Sequence, residues 1–141
     1  MRRQSTVLPT ALVALGLLAT AGAAQPTPPA EGVPFNGHST YAVVAEGGAF
    51  DLDAFTLAAW VKLDRTQRSQ VMLNRGEPGE LFTLYTLDGR VRMLVEYAEG
   101  KYTHANTEAP QAGVWTHYTG TYDGEQIKLY VNGRLASTTW L

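Results

Sequence analysis

Cysteine is absent from the whole sequence of 141 residues. The protein therefore forms no disulfide and offers no thiolate to a metal, so its stability depends on a packed apolar core. Charged residues are also scarce, at 17%, and the formal net charge is −2. Because nucleic-acid binding needs a clustered basic face that replaces counterions on phosphate, this composition argues against a nucleic-acid partner.

The sequence also lacks an apolar run long enough to span a bilayer as a permanent helix. Its longest apolar run, residues 7–18, follows a short basic start at Arg2 and Arg3 and precedes small residues up to Ala24. That order is typical of a secretory signal peptide, which we place at residues 1–24, with an uncleaved anchor as the alternative. The sequence thus predicts a secreted, periplasmic or cell-surface protein that leaves the membrane after cleavage.

Residues 25–32 contain three prolines and no apolar period. We interpret this segment as an extended Pro-rich linker. One domain of ordinary size is then expected over residues 33–141.

No helical period is present in that domain. Alternating apolar and polar residues, β-branched and aromatic runs, and turn dipeptides recur instead, and they predict about eight or nine antiparallel strands in a sandwich or barrel. The predicted strands cover residues 40–44, 55–63, 70–74, 81–87, 90–97, 115–122, 126–131 and 134–138.

Two dipeptides, Asp88-Gly89 and Asn132-Gly133, each lie between two of these runs and predict tight hairpins, since a type I′ turn needs positive φ at both central residues. A two-residue turn at Asp88-Gly89 pairs Leu87 with Arg90 and fixes the register of the whole hairpin. The predicted apolar face carries Phe82, Leu84, Val91, Met93, Val95 and Tyr97, and the opposite face carries Thr83, Tyr85, Arg92 and Glu96.

Three blocks of sequence, in order, resemble laminin-G-like jelly rolls of the concanavalin A-like type. They are residues 55–62 (FTLAAWVK), residues 113–124 (GVWTHYTGTYDG), with a Gly-x-Trp-x-His strand, and residues 127–135 (IKLYVNGRL), with a Tyr-Val-Asn-Gly turn. The resemblance implies an all-β, antiparallel jelly-roll β-sandwich. It is specific for the fold and much less so for function.

In the family the chain normally continues past this last hairpin with several more strands. The resemblance therefore implies a domain that is incomplete at its C-terminus, either because the sequence is part of a longer protein or because another chain completes the sandwich. Without those strands, we expect part of the core face at Phe82, Leu84 and Val95 to lack its cover, and unpaired edges to remain.

No catalytic set is evident. Glycosidases of this family carry a Glu-x-Asp-x-x-Glu strand, which is absent, and Asp51 and Asp53 lie at the entry to a core strand. No serine lies in a Gly-x-Ser-x-Gly context, and His117 alternates with Trp115 in a strand where packing is its expected role. We predict that this chain is not an enzyme, although a catalytic domain elsewhere in a longer protein stays open.

A ligand surface is predicted on the non-core face of the central hairpin. Tyr85 and Arg92 form a cross-strand pair there, and Tyr102 and His104 are expected in or beside the following loop. Sugar sites combine an aromatic plate with a few polar groups, so these four residues are the hypothetical glycan-facing surface. The alternative is that Tyr85 stacks on Arg92 merely to stabilise the sheet.

The resemblance makes calcium a candidate cofactor, because some family members bind it at an edge of the sandwich. The candidate ligands are loop or near-loop oxygens at Asp64, Asn74, Asp123 and Asn132. Asp123 and Asn132 immediately precede glycines, which favours turn formation over metal binding at these two positions.

The function predicted from these observations is that of an exported, non-catalytic binding module that recognises an extracellular glycan or protein. One alternative is an accessory domain of a secreted glycoside hydrolase or other hydrolase. Another is a structural spacer of a surface or adhesin-like protein.

Overall fold

The computed structural model describes residues 26–44, 52–76 and 82–141. The predicted signal peptide and Asp51 therefore lie outside the described residues. Within these ranges the regular elements are all strands: β1 (Phe55–Val61), β2 (Gln70–Arg75), β3 (Phe82–Leu87), β4 (Arg90–Ala98), β5 (Lys101–Glu108), β6 (Thr116–Tyr122), β7 (Gln126–Val131) and β8 (Arg134–Trp140).

The eight strands form two antiparallel sheets of four, in the orders β1-β6-β7-β8 and β2-β3-β4-β5. The sheets face each other across a shared apolar core, so the predicted all-β antiparallel sandwich is confirmed. No described residue belongs to a helix that is long and apolar enough to cross a membrane.

Both predicted type I′ hairpins are present. The φ angles are 51° at Asp88 and 71° at Gly89, and 49° at Asn132 and 78° at Gly133. The predicted register between β3 and β4 is also confirmed, from the pair nearest the turn, Leu87 with Arg90, to the pair furthest from it. Local turn chemistry thus sets which side chains face the core.

The core lies between β3 and β4 on one sheet and β6 and β7 on the other. Its buried apolar residues are Leu57, Leu84, Val91, Met93, Val95, Ala105, Tyr118, Ile127 and Leu129. Met93 of one sheet lies directly against Gly120 of the other, since a Cβ atom at Gly120 would overlap the Met93 sulfur. Glycine at that position is therefore required by the packing of the opposite sheet.

The expectation that part of the core face lacks cover is wrong for Leu84 and Val95. Their exposed fractions are 0% and 2%, because the facing sheet covers both. Phe82 is partly buried, and its ring packs on Phe55 with 4.4 Å between ring centroids. The described strands are thus sufficient to bury the centre of the core.

Residues 40–44, predicted as the first strand, form no strand in the structure. Tyr41, Val43 and Val44 are 80%, 72% and 72% exposed. None of the strands in the described ranges pairs with them, and a strand without a partner has no ladder.

Conversely, β5 lies where a loop was expected. Its eight residues are polar except for Tyr102 and Ala105, and only Ala105 is buried, so apolar alternation does not reveal it. A register shift between β4 and β5 falls between Glu96 and Ala98. Tyr97 lies in that irregularity and is 43% exposed, which corrects its predicted place on the core face.

The end of the Pro-rich segment packs against the domain. Gly32 lies so close to the Trp115 ring that a Cβ atom there would come within 2.5 Å of a ring carbon. Lys62 also lies against Trp115, with its ammonium 5.7 Å from the centre of the ring.

Candidate functional site

The sheet β2-β3-β4-β5 has one side that faces solvent, which is called here the outer face. Opposed residues of neighbouring antiparallel strands share a face, so the ladder assigns its members directly. One row crosses all four strands: Val71, Tyr85, Arg92 and Asn106. The predicted pair of Tyr85 with Arg92 therefore lies in the centre of this face.

Tyr102 and His104 belong to the same face, although they lie in a strand and not in the predicted loop. Tyr102 is opposite Glu96, and His104 is opposite Leu94. From Asn106 to Tyr102 the strand advances by four residues, or about 13 Å. The structure thus brings all four predicted ligand residues onto one continuous strip of the outer face.

The acceptor side chains of the outer face are already hydrogen-bonded within the protein. Arg90 lies 2.9 Å from the Glu108 carboxylate and donates to Asn106 Oδ1 at 3.2 Å. Glu96 accepts a hydrogen bond of 2.7 Å from the backbone N–H of Gly100, which orders the turn into β5. In the next row, Asn74 Oδ1 accepts from the Thr83 hydroxyl at 2.7 Å.

One donor of the same face has no such partner. Arg92 Nε is buried and has no hydrogen-bond partner among the described residues. Within the described residues, the cation–π contact joins Lys62 and Trp115. No such contact joins Arg92 to the ring of Tyr85. The outer face also carries an exposed tyrosine, Tyr102, which is 65% exposed.

Sequence reasoning missed Asn106. Its amide oxygen is held by Arg90, and it lies directly opposite Arg92. The omission follows from the failure to predict β5, since no local pattern marks this residue as the neighbour of the hairpin.

Asp123 and Asn132, two of the four calcium candidates, form turns. Asp123 accepts hydrogen bonds from the backbone N–H groups of Glu125 and Gln126 at 3.0 and 2.8 Å. These bonds hold the pKa of the Asp123 carboxyl below its usual value. Asn132 Oδ1 accepts from the backbone N–H of His117 at 2.9 Å.

Geometry also separates these candidates. Asp123 precedes β7 and Asn132 follows it, so about 20 Å of strand lies between them and they do not share an ion. Asn74 is committed to Thr83, and Asp64 is exposed after β1. Among the described residues there is no group of three or more His, Asp or Glu side chains placed to hold a metal.

His117 and Trp60 lie on the opposite side of the molecule, on the outward side of the sheet β1-β6-β7-β8. Their ring centroids are 5.1 Å apart at an interplanar angle of 58°. His117 Nδ1 lies 3.3 Å from the Thr119 hydroxyl. These contacts agree with a packing role for His117.

A cavity of about 450 Å³ opens at one end of the sandwich, away from Tyr85 and Arg92. It lies where the chain crosses from β5 to β6, beside the hairpin of β7 and β8. Tyr118 lines it, yet its hydroxyl is buried and has no hydrogen-bond partner in the part of the chain that is described. This burial raises the pKa of Tyr118 well above its usual value. Because its hydroxyl is inaccessible, Tyr118 presents no polar group to this cavity.

Comparison with known proteins gives a match to one family model, described as the concanavalin A-like lectin/glucanases superfamily and of the laminin-G type, over residues 36–140. Among curated proteins, Pappalysin-1 of Mus musculus is 26% identical over 147 aligned positions, and the match covers 86% of this chain and 8% of that protein. Pappalysin-1 of Homo sapiens is 25% identical over 132 aligned positions, and the match covers 82% of this chain and 8% of that protein. The chain thus spans about 8% of the length of these relatives.

One solved structure, "Crystal structure of HCR/D-Sa-GBL1/C", resembles the fold with a TM-score of 0.51 and 12% identity, and the match covers 62% of this chain and 23% of that chain. Domains LG4-5 of the mouse laminin alpha1 chain give a TM-score of 0.49 and 18% identity, over 62% of this chain and 24% of that chain.

Proposed function

Because the chain belongs to the laminin-G-type family of the concanavalin A-like lectin/glucanase superfamily, we propose that it is an exported, non-catalytic module that binds an extracellular glycan. Domains of this family are typically extracellular and bind proteins or glycans. The residues proposed to carry the binding are Tyr85, Arg92, Tyr102 and His104 on the outer face.

The observation that supports this proposal is the shared placement of the four residues. Two tyrosines, a guanidinium and an imidazole lie on one solvent-facing strip of three adjacent strands. A sugar presents apolar C–H faces together with hydroxyls, so a site for it needs aromatic surface and a few polar groups side by side. Rigid strands hold those groups at fixed spacing, which lowers the entropy lost on binding.

A glycan array probed with the whole chain, with and without calcium, tests the proposal. We expect saturable binding that Tyr85→Ala and Tyr102→Ala each weaken by tenfold or more, since each removes a stacking surface. Tyr41→Ala is the matched control, because Tyr41 is 80% exposed and lies outside the sheets.

Unchanged glycan binding by both variants would exclude the outer face as the site. Absence of binding to any glycan by a folded sample would instead favour a protein ligand or a spacer role. Glycan binding that depends on calcium would indicate a metal site. The positions of the four candidate ligands, Asp64, Asn74, Asp123 and Asn132, do not explain such a site.

A second candidate function is that of an accessory domain in a longer exported hydrolase. It is favoured by the curated relatives, in which the matching segment is 8% of a much longer chain. The gene sequence past codon 141 tests it. A neighbouring domain with paired carboxylates would support the hydrolase, whereas repeats or a surface anchor would support the spacer.

A further inference from the structure

We propose that the chain carries a second binding site, for proline-rich polypeptide segments, formed by Trp115, Lys62 and the turn Asn132-Gly133. This set of residues is called the Trp115 surface. Residues 26–32 of the chain occupy it in cis, and a proline-rich segment of another protein competes with them. The Trp115 surface lies at one end of the sheet β1-β6-β7-β8 and is separate from the outer face.

The segment that occupies the surface begins as a polyproline II helix. Residues 26–29 read Pro-Thr-Pro-Pro, and no helix or strand includes them. Proline fixes φ at about −65°, and a residue that precedes proline is confined to extended backbone. A polyproline II helix has about three residues per turn, so Pro26 and Pro29 lie on the same face of it.

That face of the helix is directed to the domain. Pro26 and Pro29 are partly buried, whereas the two residues between them are exposed. A Cβ atom at Gly133 would lie 3.5 Å from the Pro26 ring, which places Pro26 against the turn between β7 and β8. The segment thus docks with the period of a polyproline II helix and without a strand ladder.

Gly32 forms the second contact of the segment. The chain bends at Ala30, and Gly32, although exposed, then lies against the Trp115 ring, where a Cβ atom would come within 2.5 Å of a ring carbon. Gly32 is not among the glycines with positive φ, so the position needs space and not a special backbone angle. The ligand class is therefore a short polyproline II stretch with a glycine shortly after it.

The two contact points belong to one ordered surface. The pairing of β1 with β6 places Lys62 beside Trp115, and the Lys62 ammonium lies 5.7 Å from the centre of the ring. The backbone N–H of Asn132 donates to the carbonyl of His117 at 2.8 Å, and the N–H of His117 donates to Asn132 Oδ1 at 2.9 Å. These bonds fix the turn to the start of β6. Aromatic surfaces of this kind are the ones that recognise polyproline II segments.

The contacts of residues 26–32 are few enough for another segment to displace them. They lie at the two ends of the segment, and no strand ladder includes it. A polyproline II segment is already extended before it binds, so it loses little conformational entropy on docking, in cis or in trans. A tethered segment competes at an effective concentration on the order of millimolar, which weakens binding in trans to the parent chain.

Fluorescence anisotropy on the whole chain tests the proposal with a labelled peptide of residues 26–32, Pro-Thr-Pro-Pro-Ala-Glu-Gly. The protein variant is Gly32→Ala, which disables the chain's own segment and keeps every residue of the Trp115 surface. Thr27→Val is the matched control, because Thr27 is exposed in the same segment and lies off its docking face. Two further peptides carry alanine in place of the last glycine or in place of all three prolines.

We expect Gly32→Ala to bind the peptide at least about tenfold more tightly than the parent, because the competitor in cis is removed. Thr27→Val should bind it within twofold of the parent. Gly32→Ala should bind neither altered peptide, and adding Trp115→Leu to Gly32→Ala should abolish binding of the unaltered one. Circular dichroism of each variant at the assay temperature checks that it is folded, and the peptide series decides the question without the Trp115 variant.

Equal binding of the peptide by the parent and by Gly32→Ala would overturn occupation in cis, and no binding to either would overturn the site. Equal binding of the proline-free peptide would overturn a polyproline II ligand. Dimerisation of the parent that Gly32→Ala abolishes, measured by sedimentation, would mean that two copies exchange their segments and would overturn the separate partner. None of these results bears on glycan binding at the outer face, which lies on the other sheet.

Discussion

Replacing Tyr118 by phenylalanine removes a hydroxyl that the fold buries without a partner. Tyr118 lies in β6 at the centre of the core, with an exposed fraction of 0%, and its oxygen makes no hydrogen bond within the described residues. The ring itself packs with Leu84, Met93 and the other buried apolar residues. The substitution Tyr118→Phe therefore keeps the packing and changes only the polar atom.

The expected gain in the free energy of unfolding is about 1 kcal/mol, at the lower end of the roughly 1–3 kcal/mol that a buried unsatisfied polar group costs. Alkaline pH should enlarge the difference. Burial raises the pKa of folded Tyr118 above 10.0, its ordinary value, so the unfolded chain loses its proton first. Stability is then complete below pH 10 and falls as pH rises, by up to about 1.4 kcal/mol per pH unit.

Urea unfolding at pH 7 and at pH 10.5 measures both effects. Tyr118→Phe should be more stable than the parent at pH 7 and should lose less stability at pH 10.5. Some alkaline loss should remain, because burial and the nearby Asp123 and Asp53 charges also raise the pKa of Tyr122. Tyr97→Phe, at an exposed position, is the control and should change neither value.

A loss of 1 kcal/mol or more in Tyr118→Phe at pH 7 would refute the reasoning. It would mean that the hydroxyl is hydrogen-bonded in solution, with an internal water as the first partner to consider. An unchanged alkaline slope would show that another group controls unfolding at high pH.

Three further substitutions test the turns and the core, each by urea unfolding. Leu84→Ala should cost about 2–5 kcal/mol, because Leu84 is fully buried between the sheets, and a cost below 1 kcal/mol would indicate that the core collapses around the cavity. Gly89→Ala should cost about 1–2 kcal/mol at φ 71°, whereas Gly89→Asn should cost less, since asparagine tolerates this conformation; equal costs would contradict the turn argument. Asp123→Ala should lower the melting temperature more at pH 7 than at pH 2. The pKa of the folded carboxyl is below 3.8, so its contribution is present above pH 3.8 and is lost as pH falls through the folded value. An equal loss at both pH values would mean that the carboxylate charge is unimportant.

The hairpin of β3 and β4 was predictable except at Tyr97, because its information is local. Asp88-Gly89 fixes the turn, the turn fixes the register, and apolar alternation selects the core face. The cross-strand pair of Tyr85 with Arg92 followed from that register alone.

The rest of the site depends on contacts that no local pattern encodes. β5 has one buried side chain, Ala105, so its sequence resembles a loop, and its strand structure comes from pairing with β4. Tyr102 and His104 could be proposed as neighbours of the hairpin but not as members of the same face. Residues 40–44 show the opposite case, in which a β-prone sequence lacks the backbone partner that a strand requires.

The contact between Met93 and Gly120 has a consequence for the protein's exposure to oxidants. The Met93 sulfur fills the space in which a Cβ atom of Gly120 would lie, and Met93 has an exposed fraction of 0%. Oxidation to the sulfoxide adds a polar oxygen to that sulfur, for which the contact has no room. We expect the folded sandwich to shield Met93, whereas a chain oxidised before it folds would be unable to close its two sheets. The protein is therefore expected to tolerate an oxidant only when it folds before Met93 is oxidised.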